Sequence, residues 1–279
     1  MTHRFPMRPD FGLKNTRRLL ASATALFFAS TTLHATPVTG PWTLASGAAT
    51  LSNTATSSPT WGDGTTHNAT ASALYSAFPL ITLANTGDKL TMTGTADLLG
   101  ISSGNLAFRF GIFNDNSSAN ATDWLGYFAG NAATQNGVLD VRTDPNTSLY
   151  SSTTGASTLA SIDSTGSTSL TTASNPVTFS FTFTIERISA STLTISTSLF
   201  RPSDSAEFAG FSNIVDTNPT TFGFDRVGFQ ATSTLAADQI QFHSIDVAYT
   251  SAVPEPSTYA TILSAVCFVG AAALRRNRA

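Results

Sequence analysis

The chain has 279 residues, with 14 Lys and Arg against 17 Asp and Glu and a formal net charge of −3. The acids concentrate in the middle: residues 36–251 hold six basic and fifteen acidic side chains, a balance near −9 that repels polyphosphate and argues against nucleic-acid binding. The one cysteine, Cys267, lies near the C-terminus, so disulfides and thiolate metal sites are excluded from that middle region.

Arg17 and Arg18 precede an apolar stretch, residues 19–33, which leads into His34, Ala35, Thr36 and Pro37. A basic start, a short apolar run and a small residue at the cut predict a secretory signal peptide over residues 1–35, with cleavage between Ala35 and Thr36. The run is rich in Thr, Ser and Ala, too dilute for a stable membrane span, which fits removal after export through the Sec route. The folded body is then residues 36–251. A body of that size buries about 70% of its unfolded surface and can hold a core without crosslinks.

The body is rich in Thr, Ser, Ala, Gly and Phe and poor in Lys and Glu, a composition that disfavours helices and suits strands joined by turns. Residues 50–70 read as loop. Residues 89–98 read as a strand, and Leu106, Phe108, Phe110 and Ile112 define another with Arg109 on its opposite face. Residues 124–129 and 137–142 are further candidates. Residues 148–175 read as a long surface loop with one weak strand at 157–163. The clearest alternation runs from Val177 to Arg187, with Val, Phe and Ile on one parity and Thr, Ser and Glu on the other. Leu193, Ile195, Thr197 and Leu199 supply its partner, so the pair reads as a β-hairpin. Two more strands follow at 222–230 and 239–249. In the last, Ile240 and Phe242 share one parity and Ile245, Val247 and Tyr249 the other; one extra residue near His243 and Ser244 restores a common face, which predicts a β-bulge. About ten short strands without an internal repeat predict an all-β fold, a two-sheet antiparallel jelly-roll sandwich.

Chemistry is sparse. The body has two histidines, His67 and His243, with no zinc-site spacing around them; both read as surface residues. No G-x-S-x-G turn is present. Glu186 and Glu207 are the only glutamates of the body and do not form the closely spaced acid run that a jelly-roll glycosidase needs. Glu186, next to Arg187 at a strand end, reads as a surface-paired acid. Trp42 and Trp61 read as packing residues. The densest set of oxygen donors is the loop of residues 114–124, with Asp115, Asn116, Asp123 and Trp124. Two readings fit it: a calcium or glycan site with Trp124 stacking on a sugar ring, or a loop whose Asn, Asp and Ser make turns.

The C-terminal end has three parts in order. Pro254, Glu255 and Pro256 stop any strand and force an extended segment. An uncharged run then opens at Tyr259 and closes at Leu274. As a helix it would span about 24 Å, slightly short of a hydrocarbon core of about 30 Å, a difference that snorkelling and bilayer thinning absorb. Arg275, Arg276 and Arg278 follow and mark the cytoplasmic side. Residues 252–279 are therefore expected to be a membrane anchor, with one transmembrane helix at 259–274 and a basic tail at 275–278.

This tripartite ending, Val253 to Thr258, then the apolar run, then Arg275, Arg276, Asn277 and Arg278, resembles the PEP-CTERM family of exported proteins. The resemblance covers about a tenth of the chain. It implies an exosortase as partner, Pro254, Glu255 and Pro256 as its recognition residues, and a Gram-negative host with an exopolysaccharide-linked sorting system. The body resembles the concanavalin A-like (LamG-like) jelly rolls, on Asp225, Arg226, Val227, Gly228 and Phe229 followed by a polar turn and the final strand. The expected protein is exported, held in the inner membrane by its tail, then displayed on the cell surface or in the extracellular matrix, without enzyme activity or cofactor. The alternative is a lectin-like module acting on exopolysaccharide; a glycoside hydrolase is the least favoured reading.

Overall fold

The computed structural model describes residues 34–46, 49–65, 72–100, 108–132, 135–142, 156–163, 175–231 and 237–252. The expected signal segment up to residue 33, His67, the expected sorting residues Pro254, Glu255 and Pro256, and the expected anchor from Tyr259 through Leu274 to Arg275, Arg276 and Arg278 lie outside the described residues.

Sixteen strands follow one another among them. They are β1 (His34–Pro37), β2 (Thr43–Ser46), β3 (Leu51–Ser52), β4 (Thr60–Trp61), β5 (Ser72–Thr82), β6 (Lys89–Leu99), β7 (Phe108–Asn114) and β8 (Leu125–Ala132). Then come β9 (Gln135–Arg142), β10 (Ala156–Asp163), β11 (Val177–Ser189), β12 (Thr192–Arg201), β13 (Ala206–Glu207), β14 (Phe211–Asp216), β15 (Gly223–Ala231) and β16 (Gln239–Thr250). One 3-10 turn, Ala121–Asp123, precedes β8.

The strands form two antiparallel sheets. Sheet A has the order β13-β12-β11-β6-β16-β4-β3, with β1 also on β16 and β14 also on β12; sheet B runs β10-β9-β8-β7-β15-β5-β2. The chain repeatedly changes sheet: β5 lies in B, β6 in A, β7 to β10 in B, β11 to β14 in A, β15 in B and β16 in A. That is the expected jelly-roll sandwich.

The hairpin of β11 and β12 is present, with Phe181 opposite Leu199 and Ile185 opposite Ile195. Phe179, Phe181, Phe183 and Ile185 of β11 are all buried. They meet the aromatics of sheet B edge-on: Phe108 with Phe179 at 4.9 Å and Phe181 with Phe229 at 5.2 Å between ring centroids. Each buried Phe contributes about 1.5–3 kcal/mol and each good ring pair about 0.5–1.5 kcal/mol more, so this seam dominates the stability of the sandwich. Gly94 of β6 makes room for it, because a Cβ there would lie 2.3 Å from the Phe181 ring.

The bulge in β16 is where the parity shift predicts it. Phe242 pairs Ala96 and Ser244 pairs Thr95, which leaves His243 as the extra residue and brings Ile240, Phe242, Ile245 and Val247 to the core. The weak strand at 157–163 is present as β10. Elsewhere the count of ten is too low. Residues 50–70 are not all loop, since β3 and β4 form a short ladder there. β5 also lies outside the expected set: its alternation is broken where Phe78, Pro79 and Leu80 bulge out opposite Asp225, between the pairs Ala77–Arg226 and Ile81–Phe224. A proline is tolerated at such a bulge because no ladder bond is asked of it.

β1 covers both residues of the expected cleavage bond, with Ala35 opposite Ala248 and Thr36 opposite Val247. At the other end the body is fastened: the Ala252 amide donates to Asp88 Oδ1 at 2.9 Å and the Asn85 amide to Asp88 Oδ2 at 2.8 Å. Burial alone would raise the Asp88 carboxyl, but these amides, the Tyr249 hydroxyl and the Ala84 amide outweigh it and hold it below its usual range.

Candidate functional site

The loop of residues 114–124 connects β7 to β8 at one end of sheet B. It shapes an open cleft of about 380 Å³ lined by Tyr75, Asp115, Ser117, Ser118, Ala119, Trp124 and Arg226. Arg226 stands opposite Phe113, and Tyr75 opposite Gly228. Their neighbours Val227 and Phe229 are buried in the core between the sheets, so alternation turns Arg226 and Tyr75 to the far face of sheet B. On that face Ala73, Phe113, Trp124 and Phe128 form a second, smaller apolar cluster.

The loop is built from its own side chains. Asn114 Oδ1 accepts the Asn116 amide at 2.8 Å, Asp115 Oδ1 the Ser117 amide at 2.9 Å, and Asn120 Oδ1 the Thr122 amide at 3.2 Å. Such Asx turns let Asn116 and Ser117 hold φ values of 50° and 58°. Ser118 Oγ and Thr122 Oγ1 both donate to the Asp123 carboxylate, at 2.7 and 3.2 Å. Asp115 Oδ2 lies 2.5 Å from Arg226 Nη2. The oxygen donors anticipated for calcium are therefore engaged in turns and in an ion pair, and a cation at Asp115 would have to displace Arg226. Among the described residues no group of three or more His, Cys, Asp or Glu side chains could hold a metal ion.

Trp124 does not stand out as a platform. It is 2% exposed, its indole N–H donates to the Ser118 carbonyl at 3.0 Å, Tyr75 meets it edge-on at 4.8 Å, and the Arg226 guanidinium lies 5.7 Å from its ring centre. Tyr75, which is half-buried, is the aromatic side chain open to the cleft. Three residues of this site were not expected in it: Tyr75, Arg226, which the sequence names only for the fold resemblance, and the buried Arg142, whose guanidinium bonds the loop's carbonyls.

Electrostatically the cleft is an Asp115–Arg226–Asp225 cluster. Arg226 Nη1 lies 3.3 Å from Asp225 Oδ2, and Asp225 Oδ1 accepts the Asp115 amide at 3.0 Å. Burial pushes the Asp225 carboxyl above its usual range, opposed by the Asp115 amide and the Arg226 charge and reinforced by the Asp115 carboxylate. Asp140 lies on the same face of sheet B, opposite Phe128 on β8 and Thr158 on β10. It is 1% exposed, and neither carboxylate oxygen has a hydrogen-bond partner of good geometry among the described residues. Burial raises its carboxyl, which the Thr158 hydroxyl and the Arg109 charge only partly offset.

The remaining polar candidates are structural. Glu186 pairs with Lys89 at 2.9 Å across β11 and β6 rather than with Arg187. The Arg187 guanidinium donates instead to the carbonyls of Leu83, Ala84, Ser189 and Ala190. His243 is a surface residue at the bulge, with Nε2 3.0 Å from Asp97 Oδ2. Trp42 and Trp61 are both buried in the core.

No family model matches the chain, and no curated protein does. Among solved structures it is similar to lectin II from Ulex europaeus at 11% identity, over 78% of this chain and 97% of that one, with a TM-score of 0.42. Arcelin-5, a lectin-like defense protein from Phaseolus vulgaris, is 12% identical over 80% and 100%, also at 0.42. Winged bean acidic lectin, solved in complex with methyl-α-D-galactose, is 9% identical over 78% and 99%, at 0.44. These likenesses concern the fold alone.

Proposed function

We propose that this is an exported, non-enzymatic cell-surface or matrix protein, sorted through its C-terminal tail by an exosortase. The sequence of the tail carries this reading: Pro254, Glu255 and Pro256, then the uncharged run from Tyr259 to Leu274, then Arg275, Arg276 and Arg278. Support comes from where the body ends. β16 stops at Thr250 and Ala252 is bonded to Asp88, so only Val253 separates the fastened end of the domain from the sorting residues. Of the acids singled out in the body, Glu186 is paired with Lys89 and the cleft acid Asp115 with Arg226, structural roles that fit a non-enzymatic protein. Glycoside hydrolysis asks for two carboxyl groups facing each other across a substrate.

The test is replacement of Pro254, Glu255 and Pro256 by alanine in the native host, followed by fractionation and intact-mass analysis. The expected result is a protein retained in the inner membrane with its tail uncut. Unchanged mass and location would overturn the sorting role.

The cleft favours a second reading, a lectin-like contact with exopolysaccharide. Tyr75 offers a ring, Ser117 offers a hydroxyl, and Arg226 offers a cation already oriented by Asp115. Glycan-array binding abolished by Tyr75→Ala is the expected outcome; retention of binding by that variant removes the cleft from consideration.

A further inference from the structure

The solvent face of sheet A takes no part in the core, the cleft or the tail. Its central strands present a field of hydroxyls. In register, Ser198 of β12 stands beside Thr182 of β11 and Thr93 of β6, and the next row is Ser196, Thr184 and Thr91. All six are half-buried or exposed, while the residues between them along each strand are buried. Neighbouring strands lie about 4.8 Å apart and outward positions recur about every 6.8 Å along a strand, so the six form a regular grid. The Thr91 and Thr184 hydroxyls are 3.2 Å apart, within hydrogen-bonding distance across the strands. Within β12, β11 and β6 the charges of this face stand toward the strand ends, the Lys89–Glu186 pair at one end and Asp97 with His243 of β16 at the other, and on β16 Asp246 stands beside Thr93 at the margin of the grid.

This composition selects its partner. A protein interface is anchored by aromatic or arginine side chains, and the two rows carry neither. A body with a net charge near −9 repels an acidic polymer. A nucleic acid is disfavoured on the same ground. A neutral polymer meets no such penalty. Each threonine offers one methyl and one hydroxyl, which both donates and accepts. A sugar ring likewise presents C–H patches and hydroxyls that need both apolar contact and hydrogen bonds.

We propose that the hydroxyl grid of sheet A is a docking face for an uncharged polysaccharide, separate from the cleft of sheet B. The proposal does not depend on the tail, so its failure and a failure of sorting are read by different experiments. The full-length protein in mild detergent is tested by co-sedimentation with microcrystalline cellulose and with a particulate β-1,3-glucan, by affinity electrophoresis in dextran, and on alginate as the acidic comparison. The expected result is retention on at least one neutral polymer and none on alginate. Thr182→Val with Thr184→Val removes two hydroxyls while keeping shape and strand preference, and weakens retention at least tenfold. Thr182→Ser with Thr184→Ser keeps most of it, and Tyr75→Ala leaves it unchanged. Unaltered thermal melting shows that the variants are folded. Absence of retention on all three neutral polymers overturns the proposal, as does equal retention by the valine variant. Loss through Tyr75→Ala alone assigns the sugar to the cleft instead. A concentration-dependent dimer in sedimentation velocity, lost in the valine variant without polysaccharide binding, assigns the face to self-association and likewise overturns it.

Discussion

Arg142 Nε donates to the carbonyl of Trp124 at 2.5 Å, and Nη2 of the same side chain reaches the carbonyls of Ala121 and Thr122 at 2.7 Å each. One fully buried guanidinium thus closes the end of the 3-10 turn and fixes where β8 begins. Charge-assisted bonds of this kind are the strong ones, and their loss leaves carbonyls without a donor. Arg142→Ala is expected to cost about 3 kcal/mol in denaturant unfolding and to red-shift tryptophan emission as Trp124 gains solvent. An unshifted spectrum with full stability would show that the loop holds its own shape.

The two sheets are also joined by a polar bond. The Tyr127 hydroxyl of β8 donates to Asp216 Oδ2 at the end of β14, at 2.7 Å, and Asp216 Oδ1 accepts the Asn218 amide. Burial, with the Asp216 carboxylate beside it, pushes the Tyr127 hydroxyl far above its usual range. Tyr127→Phe strands one carboxylate oxygen in a buried place and is expected to cost about 1–3 kcal/mol, read as a lower denaturant midpoint at unchanged m-value.

Gly94 tests the aromatic seam. A Cβ there would lie 2.3 Å from the Phe181 ring and 2.5 Å from the Ser244 carbonyl oxygen, and backbone cannot yield as a side-chain tip can. Gly94→Ala is expected to destabilise by about 2 kcal/mol or more, in the range of overpacked cores. A second-site Phe181→Leu change should recover some of that loss, because it removes one of the two clashes. Additive loss in the double variant would show that the ring is not the obstacle.

Asp140 gives the fold a pH dependence of definite sign. Its carboxyl is raised in the folded state, so the folded protein holds this proton more firmly than the unfolded chain. Stability from this group is greatest below the unfolded value of 3.8, falls as pH rises from there through the raised folded value, and levels off above it. Asp88 is shifted the other way: its contribution is present above 3.8 and lost as pH falls through its lowered folded value. Asp140→Asn is therefore expected to flatten the decline in melting temperature that sets in as pH rises above 3.8, and to leave the acid limb intact. A decline of unchanged steepness would place its origin in another group, with Asp225 the first to test.

How much of this was legible in the chain depends on how far each feature reaches. The hairpin of β11 and β12 and the bulge at His243 are local, written in the parity of residues that touch the same core. β5 was hidden because Pro79 and its neighbours interrupt the alternation, and the register resumes only through pairing with β15, more than 140 residues later. The cleft was half legible. Asp115, Asn116, Asp123 and Trp124 stand together in sequence, but the burial of Trp124 is imposed by Tyr75 from β5 and Arg226 from β15. Arg142 reads as one more charged residue at a strand end until the turn it supports is in place. The parity of β15 was the available signal for Arg226, since Val227 and Phe229 claim the core and turn it to the other side.

β16, the last strand before the tail, does not lie along a margin of sheet A. It is paired along its whole length with β6, and on its other side with β4 near its start and β1 near its end. A force applied to the tail is directed along that strand, across rows of backbone hydrogen bonds that must shear all together instead of opening in succession.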